Sequence, residues 1–283
     1  MALKKVISAM RFAPLLAALA LAPVHAAAPN TSGAVLIVGI LPETDVAGLR
    51  EACDIALARA AQTVGADRLE RAGELGVARF PMLFDPRFLD LFACETILAI
   101  IDATTGPASI CHVMNAFVLP SLAADEQRTV FQNSMHMDFP RRLNGYLASI
   151  NTFFPLSTFT EETGATRIML GSHRLDTPPR AEEFDAEAVC VECEPGGMLV
   201  FDSNTWHAAG RNTSGHPRYA INVQWTRAFF KQQVDYVRAL GDEFILAQPE
   251  RTQQILGWYT RLPTSLDDYY RESHDRLYRS GQG

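Results

Sequence analysis

Arg218-Tyr219-Ala220-Ile221-Asn222-Val223-Gln224-Trp225 is the stretch that decides the fold class. In an extended strand, side chains two apart share a face. Arg218, Ala220, Asn222 and Gln224 therefore point one way, and Tyr219, Ile221, Val223 and Trp225 the other. An ordinary two-layer protein buries the apolar face and wets the polar one. A jelly roll offers another arrangement, in which helices cover the apolar outer face while the polar inner face lines a pocket. An arginine on that inner face can grip a carboxylate with its planar fork.

Upstream, His207 follows Phe201-Asp202-Ser203-Asn204-Thr205-Trp206 and reads as the end of the preceding apolar strand. Asn212-Thr213-Ser214-Gly215 supplies a turn between His207 and Arg218, which predicts neighbouring strands for the two. Further upstream, Ser134-Met135-His136-Met137-Asp138 reads as a short strand, so His136 and Asp138 project together. Two imidazoles and one carboxylate hold Fe(II) on one face and leave three coordination positions for reactants. A metal ligand beside an arginine fits a chelating organic acid. The keto-acid end would take the metal, and the distal carboxylate would pair with Arg218.

The surrounding pattern agrees with a β core. Short apolar runs separated by turns cover 110–119, 129–138, 147–154, 165–170, 188–193, 198–201 and 219–225, which suggests a sandwich or barrel. Gly33 to Ile40 is one further apolar strand. Helical spacing marks Val46 to about Val64, Pro86 to about Asp102, and several pieces beyond Lys231. The expected fold is mainly β with flanking helices, with the core at about 109–228 inside a single domain of residues 31–283. The segments 80–92 and 119–133 are expected to form lids. Met135 and Met137 are expected in the core.

Composition excludes several classes. The 283 residues are 48% hydrophobic and 20% charged, with a formal net charge of −7. Nothing forms a basic footprint, so no nucleic-acid partner is expected. Five cysteines, an odd and sparse set, argue against a disulfide framework. Cys190-Val-Glu-Cys193 reads as a structural strand piece. His25, His112, His216 and His274 have no partner at metal-site spacing. Residues 1–30 resemble a leader: Lys4 and Lys5 precede an apolar run from Phe12 to Pro23, and Val24-His25-Ala26 resembles a cleavage site. The run is too short for a convincing membrane span, and no other membrane segment is expected. Fe(II) chemistry with a metabolic co-substrate favours the cytoplasm against that leader, so localisation stays open.

Beyond this chemistry the sequence resembles the phytanoyl-CoA dioxygenase family of Fe(II)/2-oxoglutarate oxygenases. The matching pieces are His136-Met137-Asp138, Phe159 through Arg167 (with Glu162-Thr163-Gly164-Ala165-Thr166-Arg167), Gly171-Ser172-His173-Arg174, and Met198 through Ser214 leading to Arg218. The resemblance covers roughly 33–260 and is strongest over 130–226. It departs at Leu170, where proline is usual, and at Gly197, where aspartate is common. It implies a double-stranded β-helix, the cupin-like jelly roll. It further implies Fe(II) on His136, Asp138 and His207, with 2-oxoglutarate and O2 as co-substrates. Arg218 would hold the distal carboxylate, and Thr166 and Asn151 would be further co-substrate contacts. His173 falls in a structural turn motif. Related halogenases lack the carboxylate at the position of Asp138, so its presence favours hydroxylation or another C–H oxidation of a small-molecule substrate. A monomer or homodimer is expected. Two other classes remain open: a non-catalytic small-acid or metal-binding protein of the same fold, and a metal-cupin isomerase without 2-oxoglutarate.

Overall fold

The computed structural model describes residues 32–123, 131–141 and 143–276, together with a two-residue strand, Ala9–Met10. Otherwise the proposed leader lies outside the described residues, as does the 124–130 part of the expected second lid. Two sheets form the core. The larger runs, edge to edge, β1 (Ala9–Met10), β2 (Ala34–Ile37), β8 (Met198–Asp202), β5 (Ser149–Pro155), β10 (Arg218–Thr226), β4 (Ile110–Leu119) and β3 (Val77–Arg79). The smaller runs β7 (Val189–Cys190), β6 (Thr166–Ile168) and β9 (His207–Ala209).

Strand β10 is the centre of this architecture. It pairs antiparallel with β4 on one side and β5 on the other, and all nine of its residues are buried. Its alternation works as the sequence implies. Tyr219, Ile221, Val223 and Trp225 belong to a large apolar cluster under the helices. Ala220 belongs to a second cluster, where Phe117, Leu199 and Phe201 of the larger sheet meet Ala165, Ile168 and Val191 on the smaller sheet's side. The two sheets thus face each other with a packed end and, next to it, a polar cavity. The result is a double-stranded β-helix with flanking helices.

Helix α1 (Glu43–Val64) covers the outer face. Pro42 starts it in extended geometry, Glu43 and Asp45 favour the first turn, and Gly65 ends it at φ 92°. Val46, Leu49, Ala52, Cys53, Ala56 and Ala60 are its buried stripe. Asp54 accepts a hydrogen bond from the Tyr219 hydroxyl at 3.0 Å, which ties the helix to β10. Trp225 is fully buried, packs edge-on against Phe92 at 5.4 Å, and donates to Thr152 Oγ1 at 2.9 Å.

The structure corrects several expectations. Residues 134–138 form no strand; one isolated bridge joins His136 to His207. Asn133 precedes it at the end of a 3-10 turn, Phe131–Asn133, and although Met135 and Met137 alternate with Ser134, His136 and Asp138, the bridge forms at His136 alone. Met135 and Met137 are only half-buried. His207 does not end β8. It opens its own strand, β9, after the turn 203–206, and β9 joins the smaller sheet. His207 and Arg218 therefore sit on opposed sheets rather than on neighbouring strands. The larger sheet also recruits β2 and β3 from outside 109–228. The region 80–92 is no lid, since Met82, Phe88, Leu89, Leu91 and Phe92 are all core.

Candidate active site

His136, Asp138 and His207 converge, with one ligand atom from each lying within 4.8 Å of the others. His136 Nε2 is 3.5 Å from Asp138 Oδ1, and His207 Nε2 is 3.6 Å from Asp138 Oδ2. The chain positions both rings in the same way. His136 Nδ1 lies 2.8 Å from the Ser134 carbonyl, and His207 Nδ1 3.0 Å from the Thr205 carbonyl. A carbonyl only accepts, so Nδ1 carries the proton and Nε2 turns its lone pair to the carboxylate. Burial pulls the His207 imidazole below its ordinary value; the charge of Asp138 opposes this and that of His136 adds to it. A neutral imidazole is the ligand form.

Backbone hydrogen bonds hold the three together. His136 N donates to His207 O at 2.9 Å, and His207 N to His136 O at 3.0 Å. Phe139 N donates to Ser203 O at 3.0 Å, and the Asn204 amide donates to the Phe139 carbonyl. The Gly171-Ser172-His173 motif acts here as well. Ser172 Oγ accepts from Trp206 N at 2.8 Å and pins the turn that presents His207. His173 itself packs against Gly33, as expected of a structural residue.

Arg218 is 2% exposed and lines the same cavity as the triad. Its Nη1 donates to the Gly164 carbonyl, and its guanidinium lies 4.8 Å from the centre of the Phe159 ring. No carboxylate among the described residues pairs with it, and its buried Nε has no partner there. Burial pulls the guanidinium down to about 9. A buried cation without a counter-charge is costly and suits an anionic ligand. Gly164 is required for this placement: at φ 72° a Cβ would come within 2.7 Å of Gly210 O and Asn212 N. Thr166, two residues on, is buried and also lines the cavity.

Asn151 is placed differently from the sequence reading. It is fully buried and absent from the cavity wall; its amide donates to Asp138 Oδ2. Its Oδ1 accepts from Ser203 Oγ at 2.8 Å, and Ser203 Oγ accepts from Ser149 Oγ at 2.8 Å. Gln224 donates to Ser149 Oγ at 3.1 Å and to the Asp138 carbonyl at 3.3 Å. This network behind the carboxylate was not visible in the sequence. His112, read as structural, lies close enough to Asp138 to feel its charge, although burial is the larger influence and lowers its pKa. The Cys190 and Cys193 thiols are both pushed up to about 11 by burial, so neither is a ready thiolate. Cys193 also explains Gly197: a Cβ there would meet its sulfur at 2.3 Å.

The phytanoyl-CoA dioxygenase (PhyH) family model matches residues 25–220. The chain belongs to this family. It is an Fe(II)- and 2-oxoglutarate-dependent dioxygenase acting on a small molecule. The uncharacterized protein Rv1501 of Mycobacterium tuberculosis (strain H37Rv) is 48% identical over 254 residues, 90% of this chain and 93% of that protein. Dioxygenase cdmD of Talaromyces verruculosus is 32% identical over 154 residues, half of each chain. The crystal structure of EctD from S. alaskensis with 2-oxoglutarate and 5-hydroxyectoine superimposes with a TM-score of 0.58 at 20% identity, over 73% of this chain and 76% of that one. That likeness supports the fold. The donor set fits the cofactor on its own chemistry. Two imidazole nitrogens and a carboxylate on one side are a facial Fe(II) set, and Arg218 suits a dicarboxylate.

Proposed function

We propose that His136, Asp138 and His207 hold Fe(II) and that Arg218 receives the distal carboxylate of 2-oxoglutarate, with Thr166 beside it. Residues 31–283 serve this site as one unit. The enzyme oxidises an unactivated C–H bond of a small organic or natural-product substrate and releases succinate and CO2. The observation that carries this reading is one cavity with both features on its wall: two Nε2 lone pairs aimed at a carboxylate, and a buried arginine without a counter-charge. Bound Fe(II) and 2-oxoglutarate supply the dioxygen chemistry and the oxidising power. The chain's residues orient and shield. The two Nδ1–carbonyl contacts fix the imidazole tautomers. Asn151 holds the Asp138 carboxylate from behind. Arg218 and Phe159 set the depth to which the dicarboxylate enters. Asp138 would supply the carboxylate ligand that leaves no place for a halide on the metal, which favours C–H oxidation over halogenation.

The test is direct. Under anaerobic conditions, Fe(II) plus 2-oxoglutarate should give the visible charge-transfer band of a chelated keto acid, and admitting air should release succinate. Absence of both would overturn the proposal. Asn151 gives a second test, because two roles predict different outcomes. Asn151→Ala is expected to weaken Fe(II) binding by about 10–100-fold, the usual cost of losing an outer partner of a metal ligand. The KM for 2-oxoglutarate should change little. A raised KM with unchanged metal affinity would instead make Asn151 a co-substrate contact.

A further inference from the structure

The larger sheet contributes a polar row to the cavity. Arg79 on β3 pairs with Asn115 on β4, Asn115 pairs with Asn222 on β10, and Asn222 pairs with Phe153 on β5. All four line the cavity. Asn115 and Asn222 are 4% and 7% exposed. Their Oδ1 atoms, and Oε1 of the cavity-lining Gln132, are buried and accept no hydrogen bond among the described residues. Buried polar groups are normally matched. A carboxamide can turn to present either its oxygen or its nitrogen, so each offers both a donor and an acceptor.

The charges in this part of the wall are accounted for. The Arg79 fork engages Glu74, with Nε–Oε2 at 2.8 Å and Nη2–Oε1 at 2.6 Å. Arg218 and Asp138 are committed to the co-substrate and the metal in the reading above. Among the described residues of the wall, what remains is neutral. Beside the row, Phe117 and Phe153 stack with centroids 6.0 Å apart and planes at 29°, giving an aromatic surface. The empty space within and in front of the cavity comes to about 550 Å³, open solvent included. That space must take the dicarboxylate as well as the reacting end of the substrate.

Resting on the proposed function, we infer that Asn115 and Asn222, with Gln132 beside them, recognise the substrate. The substrate is a compact neutral molecule with hydroxyl, amide or carbonyl groups along one edge and a flat apolar face against Phe117 and Phe153. An aliphatic acyl chain would leave the carboxamides buried against hydrocarbon, which such sites reject strongly. A coenzyme A thioester would need cations for its phosphates, and among the described residues of this row the arginine is already paired.

The experiment measures succinate formed from 2-oxoglutarate by the Fe(II) protein with each of four probes. Cyclo(Gly-Gly) and N-acetylglucosamine represent neutral hydrogen-bonding rings; octanoate and octanoyl-coenzyme A represent acyl substrates. Wild type is expected to be stimulated at least about 3-fold by a ring probe and not by the acyl probes. Asn222→Leu and Asn115→Leu should lower the ring-probe stimulation about 10-fold or more and shift preference toward octanoate. The charge-transfer band of the anaerobic Fe(II)–2-oxoglutarate complex, recorded for every variant, shows whether the site still assembles. With the band present, stimulation by the acyl probes, by none of the four, or equally in wild type and variants overturns the inference while leaving the proposed function standing. Absence of the band in wild type overturns the proposed function and this inference with it.

Discussion

Asp138→Ala is expected to weaken Fe(II) binding by about 100-fold or more and to reduce succinate formation by about 1000-fold. The carboxylate faces both Nε2 atoms, at 3.5 and 3.6 Å. Without it, two imidazoles remain, too few donors to bind Fe(II) firmly. The loss should be specific to the metal. Asp138 is only half-buried and lies in an irregular loop, so truncation leaves no cavity in the core. The thermal midpoint of the metal-free protein should therefore fall by only a few degrees, the cost of leaving the buried Asn151 amide without its acceptor. Competition with a chromophoric chelator reads the affinity. Fe(II) affinity within a few-fold of wild type would remove Asp138 from the ligand set.

Arg218→Met separates binding from stability, and the two should move in opposite directions. The KM for 2-oxoglutarate is expected to rise by about 100-fold, since a charge-assisted pair with a carboxylate is lost in a buried place. The protein without co-substrate should become more stable, on the order of 1 kcal/mol. The reason is burial, which disfavours the cation strongly enough to bring Arg218 down to about 9. At neutral pH the group is still charged, and among the described residues no carboxylate pairs with it; the Gly164 carbonyl and the Phe159 face offset part of that charge. Methionine keeps much of the length and removes the uncompensated charge. Stability comes from denaturant melts without ligand, and KM from succinate assays. A fall in stability together with an unchanged KM would show that Arg218 serves the fold and not the dicarboxylate.

What could be read from the chain depended on range. β10 was legible because its two faces alternate without interruption over Arg218–Trp225, and period two is a local signal. The triad was legible because His-x-Asp and His207 are chemically distinctive. Their backbone setting was not. A strand was expected at 134–138, yet its only sheet contact is the bridge at His136, and no local pattern distinguishes one bridge from a short strand. The placement of His207 on the smaller sheet was hidden because four polar or bulky residues, 203–206, were read as strand when they form the turn between sheets. Val77–Arg79 carries too few residues to show alternation. The role of Asn151, and the row Arg79–Asn115–Asn222, arise only from the register of strands distant in sequence. Alternation tells which face a residue takes; it does not tell which residue of another strand lies beside it.

The mutual hydrogen bonds between His136 and His207 affect how the protein would acquire its metal. Two proposed donors from segments 71 positions apart are already clipped to each other through main-chain atoms. Their imidazole tautomers are set by neighbouring carbonyls, and Asn151 orients the carboxylate. Little chain entropy is left to lose when an ion arrives. On the proposed ligand set the apoprotein is expected to be a preformed receptor, with chelation and reloading leaving the fold unchanged.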